Sequence, residues 1–297
     1  MRYRSFGEGG QSISTVLAAV DSNESTTISE AYLSGCLNLG VNAFEARVDD
    51  LAAIQALGRC VSSVERSMVV VGLRIAASDT RHPRDLSRET IIRLLQDALR
   101  NTGLRWIDYL IVDDPVQGEL GPSFFMTVEA ARQAKRLRYV GISGDHPAVS
   151  DVIEAGGVQI YAAPYNLRCS QIVRKRMRQA EAANVMILGY DHYPESIRKA
   201  QSLPAVAATG IMRFLGLGGA RRAPADNDGP YSFLNYVRGW SAEQVCLAYA
   251  LNEPSVSSAR VQAPDLETMQ GLVEASEREL PNGLSAQIEL ARVSDLD

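Results

Sequence analysis

The sequence predicts one α/β domain spanning 1–297, a (β/α)8 TIM barrel with an N-terminal β-hairpin cap. Three observations predict it. Eight short apolar runs recur along the chain without polar alternation, as parallel strands covered on both faces require. Amphipathic stretches with helical spacing lie between them. The 297 residues suit a single barrel of this kind.

The elements follow in order. Residues 2–14 read extended–Gly–extended, a hairpin placed to close the barrel bottom. The strand candidates are 15–20, 41–45, 68–74, 107–112, 138–143, 158–163, 185–190 and 257–261. A helix over 27–39 stops at Gly40, just before a strand. Ser87 and Thr90 open a helix whose apolar face is Ile91, Leu94, Leu95, Ala98 and Leu99. Helical patterns also cover 124–133, 170–183 and 241–251. Segment 203–230 is too long for an ordinary connection, and the expectation is a mobile loop over the site. Its Gly216-Leu217-Gly218-Gly219 and Arg221-Arg222 do not stand between a strand and a helix as a phosphate cradle requires, so they read as punctuation.

Composition excludes several classes. With 46% hydrophobic and 22% charged residues the chain reads as globular. No apolar run approaches the roughly 18 residues of a membrane span. Met1-Arg2-Tyr3-Arg4 is not followed by a signal-peptide core, so the expected location is cytoplasmic. The net charge of −5 disfavours nucleic-acid binding, and the expected partner is a small-molecule substrate. Cys36, Cys60, Cys169 and Cys246 stand far apart, so neither a zinc site nor a disulfide framework is suggested. Any Schiff-base chemistry would have to use Lys135, Lys175 or Lys199.

Barrel enzymes carry their sites at the C-terminal ends of the strands. Those ends offer Asp21, Glu45, Arg47, Asp50, Arg74, Asp113, Asp114, Asp145, His146, Tyr190, Asp191 and His192. Glu45, Arg74 and Asp113 end strongly apolar runs, where a charge is costly unless it is paired or faces a cleft. They read either as a general acid–base set or as an internal ion network. Glu45 and Asp113 with His146 or His192 could assemble a metal site, but no dedicated ligand spacing is present and no metal is assigned. His82 reads as an exposed loop residue.

The landmarks in order resemble the aldo-keto reductase family over nearly the whole chain. They are the opening Met1–Gly7 segment, Leu39-Gly40-Val41-Asn42-Ala43-Phe44, Leu57-Gly58, Leu137-Arg138-Tyr139-Val140-Gly141-Ile142-Ser143, Pro164-Tyr165-Asn166-Leu167, and the stretch from Gln244 to Val256. The resemblance implies hydride transfer from a nicotinamide cofactor, with a Tyr proton donor supported by Lys, Asp and His. In this sequence Glu45 stands at the family's Asp, Asp50 at its Tyr, Arg74 at its Lys and Asp113 at its His. Arginine cannot shuttle a proton as lysine can, and an aspartate has a far lower intrinsic pKa than a tyrosine. Of the cofactor contacts, Ser143 and the stacking aromatic Tyr190 are retained. Gly144 and Ala162 replace the amides, and 261–265 lacks the family's phosphate contacts.

Three readings follow. The leading one is a non-redox enzyme, of lyase, dehydratase or isomerase type, acting without a cofactor on a small carbonyl or anionic substrate. In it Asp50 and Asp113 serve as base and acid, Arg74 holds an oxygen, Glu45 orients Arg74, and Tyr190, His192, Asp114 and His146 contact the substrate. The second is an NADP-dependent oxidoreductase with a rearranged proton donor, using Ser143 and Tyr190 for the cofactor. The third is a catalytically inactive regulatory homologue.

Overall fold

The computed structural model describes residues 1–21, 29–77, 84–202 and 230–294. An antiparallel hairpin, β1 (Tyr3–Phe6) and β2 (Gln11–Ser14), opens the chain with Tyr3 opposite Ser14. Eight parallel strands follow: β3 (Val16–Val20), β4 (Ala43–Arg47), β5 (Val70–Ile75), β6 (Ile107–Val112), β7 (Leu137–Ser143), β8 (Ile160–Pro164), β9 (Met186–Tyr190) and β10 (Val256–Val261). They close in sequence order, with β10 paired to both β9 and β3. Each lies within three residues of its expected boundaries, because a fully covered strand carries its own apolar signature.

The outer layer comprises α1 (Glu30–Asn38), α2 (Leu51–Val61), α3 (Arg88–Thr102), α4 (Pro122–Gln133), α5 (Ala148–Glu154), α6 (Gln171–Ala182), α7 (Glu195–Ser202), α8 (Ala242–Leu251), α9 (Leu266–Glu277) and α10 (Leu284–Ser294). Their starts follow side-chain chemistry. Ser87 caps α3 through the Thr90 N–H, and Ser241 forms a capping box with Gln244 at α8. Helix α4 begins two residues before its apolar pattern, with Pro122 in the first turn, where a missing N–H costs nothing. The expected 27–39 helix is seen as α1 behind its cap Ser29, and 22–28 lie outside the described residues. So do 203–229, which hold nearly all of the expected loop, and His82. None of the described helices is long and apolar enough to cross a membrane.

Two apolar layers result. One, between strands and helices, is the larger. The other fills the barrel and includes Leu17, Val70, Tyr109, Ile160 and Leu188. Phe6 and Ile13 of the hairpin join this inner layer, fully buried beside residues that begin the strands. The hairpin therefore plugs the N-terminal end and leaves the C-terminal end as the mouth. Inward positions alternate along each strand. Glu45 thus sits one step above Ala43, and Arg74 two steps above Val70.

Candidate active site at the barrel mouth

Glu45 is the centre of the mouth and is 1% exposed. Arg74 grips it with two donors, Nε to Oε1 at 2.7 Å and Nη2 to Oε2 at 3.2 Å. Arg260, reaching in from β10, donates Nε to the same Oε1 at 2.7 Å. The Tyr109 hydroxyl donates to Oε2 at 3.0 Å. Tyr109 crosses the barrel to do so. The route exists because its neighbour in register is Gly72, where a Cβ would collide with the phenol ring. Beyond Arg74, its Nη1 donates to Asp113 Oδ1, which also accepts the Ser143 hydroxyl. Beyond Arg260, its Nη2 donates to Asp21. Arg84 holds the Asp113 carbonyl and is itself paired with Glu119. Tyr190 places its ring 5.7 Å from the Arg74 guanidinium, a cation–π contact.

The electrostatics follow from this packing. Burial pushes the Glu45 carboxyl toward the neutral form, but Arg74 and Arg260 outweigh it and hold the pKa below the usual carboxylate range. Burial likewise opposes the charge on Arg74, and Glu45 and Asp113 reverse that effect. Burial and the Glu45 charge push the Tyr109 hydroxyl well up, so it serves as a donor. Three carboxylates thus meet two guanidiniums in one chain of bonds. Asp113 is its most open acid, 22% exposed on the side chain.

Asp21, Glu45, Arg74, Asp113 and Tyr190, all strand-end candidates, are brought together, along with Ser143, which the resemblance singles out. Asp50 is placed differently: its Oδ1 accepts the Ala53 N–H at 2.9 Å and caps α2. Arg47 pairs with its neighbour Asp49 at the surface. Asp114, at φ 39°, accepts the His146 N–H at 3.3 Å, while His146 Nδ1 accepts the Ala148 N–H at 3.3 Å. His192 is buried with Nε2 3.5 Å from Glu243 of α8, on the helix side of the barrel wall. Asp191 accepts from Asn166, and burial raises its pKa. Among the described residues no group of three His, Cys, Asp or Glu side chains converges as a metal site would. Arg260 and Tyr109 are the members that strand-end reading overlooks. A lone charge in the run 257–261, in phase with the barrel interior, was the available signal for Arg260.

No family model matches the sequence, and no curated protein matches it. Solved structures do. The holo form of aldo-keto reductase AKR11C1 from Bacillus halodurans superposes with a TM-score of 0.75 over 98% of this chain and 96% of that one, at 14% identity. Its apo form gives 0.70 over the same shares, at 15% identity. The chain has the aldo-keto reductase fold.

Several residues at the positions where the resemblance puts nicotinamide-nucleotide contacts hold partners of their own. Ser143, at the position expected to hold the carboxamide, donates its hydroxyl to Asp113. The space a side chain at 144 would need is filled by the Asp114 carboxylate. At the start of α9, near the stretch where the resemblance puts the phosphate contacts, the Asp265 carboxylate accepts the Thr268 N–H at 2.7 Å. The positive end of that helix already holds an anion, which repels a second.

Proposed function

We propose that this aldo-keto reductase scaffold serves a non-redox, cofactor-independent enzyme that moves protons on a small carbonyl substrate in the cytoplasm. The observation that carries the reading is the ionic network at the mouth, with Asp113 as its most open acid and Arg74 fixed behind it by Glu45. Asp113 has one oxygen engaged by Arg74 and Ser143. Its other oxygen is the proton acceptor, taking a proton from the carbon next to the carbonyl and leaving the electron pair on the enolate. The Arg74 charge favours the oxyanion that develops. Returned to the carbonyl oxygen or the adjacent carbon, the proton completes an isomerisation; delivered to a β-hydroxyl that departs as water, it completes an elimination. Tyr190 and Asp114 are assigned to substrate contact. Asp50 and His146 hold the partners described above, His192 is buried beside Glu243 of α8, and the proton transfers are given to Asp113 alone.

One observation favours a second reading. The network's ionic groups bond chiefly to one another, which suits an inactive homologue with a rigid mouth. Retained Ser143 and Tyr190 keep an NADP-dependent reading testable as well.

The deciding experiment incubates the protein with small aldehydes, 2-oxo acids and 2-hydroxy acids in D2O and follows loss of C–H signals by proton NMR. The expected result is exchange by the wild type and a loss of about 100-fold in Asp113→Asn, with the variant's folding confirmed by circular dichroism. Absence of exchange across the panel, or equal rates in the variant, would sink the proposal.

A further inference from the structure

A second cavity lies at the opposite end, on the floor of the barrel beside the hairpin. It measures about 680 Å³, within the range of small-molecule sites. The Gly9–Gly10 turn and Ser67 form one side, and the end of α4 running into β7 forms the other. The charged residues on its wall are Arg132, Lys135 and Arg138, all cations.

Behind this wall two arginines share one carboxylate. Arg66 and Arg138 both bind Asp108, at 2.6 and 3.1 Å, so one fully buried carboxylate answers two guanidiniums. Trp106 lies between them, with its ring 4.5 and 4.7 Å from the two guanidinium carbons, and its N–H donates to Asp108 at 3.0 Å. Arg132 is matched by Glu129 at 2.8 Å. Lys135 is exposed and makes no ion pair among the described residues. Among the described residues, three cationic side chains and no carboxylate line this cavity, in a chain whose net charge is −5. The same cavity has an apolar side, made by Leu137 and the half-buried Tyr139.

The geometry points to a binding site here for an organic anion with a flat apolar body, its phosphate or carboxylate on Arg138 and Lys135 and its ring against Leu137 and Tyr139. Guanidinium and ammonium groups select an oxyanion, and the apolar wall adds what a bare ion cannot use. This site stands apart from the proposed chemistry at the mouth and does not depend on it.

The test uses Trp106 as the reporter. The chain has two tryptophans, so full-length Trp240→Phe protein fluoresces from Trp106 alone. Adenosine monophosphate, benzoate and inorganic phosphate are titrated separately. The expected result is a saturable fluorescence change with an organic anion, weaker with inorganic phosphate, and weakened about tenfold by Lys135→Glu through charge reversal. A response to adenosine monophosphate alone assigns a phosphate ligand, and one to benzoate alone a carboxylate. Lys135→Glu is a surface change, and its fold is checked by melting temperature. No saturable change with either organic anion up to about 10 mM, or equal binding in Lys135→Glu, overturns the assignment.

Discussion

A buried carboxylate with two arginines and a phenol on it sets the energetics of the mouth. Glu45 is nearly inaccessible, and its bonds to Arg74, Arg260 and Tyr109 compensate its desolvation. Removing its charge leaves two guanidiniums facing a neutral amide. Glu45→Gln is therefore expected to cost about 3–5 kcal/mol at pH 7, measured by urea unfolding. The pH dependence has a definite sign. The folded pKa lies below the ordinary glutamate value of about 4.3, so Glu45 contributes its full stability above that value and loses it as pH falls through the lower folded pKa. The gap between wild type and Glu45→Gln should narrow on acidification below about pH 4. A gap that is absent at pH 7, or that widens in acid, would contradict this account.

Among the elements, α2 shows how a local role and a catalytic role compete for one side chain. Within its sequence Leu51–Val61 the buried Ala53, Ile54, Ala56, Leu57, Cys60 and Val61 recur at helical spacing and form one apolar face of the helix. Its start is set by Asp50, whose carboxylate satisfies the Ala53 N–H. Asp50 aligns with the family's tyrosine, which is what suggests a role in proton transfer from the sequence. A capping role predicts that Asp50→Ala lowers stability by about 1 kcal/mol while Asp50→Asn leaves it nearly intact. It also predicts unchanged deuterium exchange in Asp50→Asn. Melting curves and the exchange assay read both, and lost exchange in a stable Asp50→Asn would return Asp50 to the chemistry. The start of α9 follows the same logic, since Asp265 occupies an end that could otherwise receive a phosphate.

For the whole molecule the question is what a reductase fold does when its contacts change. The barrel and hairpin superpose on a reductase over almost their full length, whereas the mouth is knit into an ion network. Titration with NADPH and NADH, followed by ligand fluorescence and melting temperature, is expected to show no saturable binding at millimolar cofactor. Micromolar binding with a raised melting temperature would restore the oxidoreductase reading, because a ligand of the folded state stabilises it.

By itself the sequence determined the barrel, its strand order and the hairpin plug. These depend on apolar period and local caps, which a chain carries along its length. It also exposed Glu45, Arg74 and Asp113, since a charge ending an apolar run is conspicuous wherever the fold takes it. The tertiary structure decided the partners. Arg260 meets Glu45 across 215 positions of sequence, and Tyr109 across 64. The first contact exists because the closed barrel brings β10 beside β3, and the second because Gly72 on β5 lets the Tyr109 phenol reach across to β4. Burial pattern is a property of each segment, but pairing is a property of closure, so a single sequence displays the first and leaves the second to the fold.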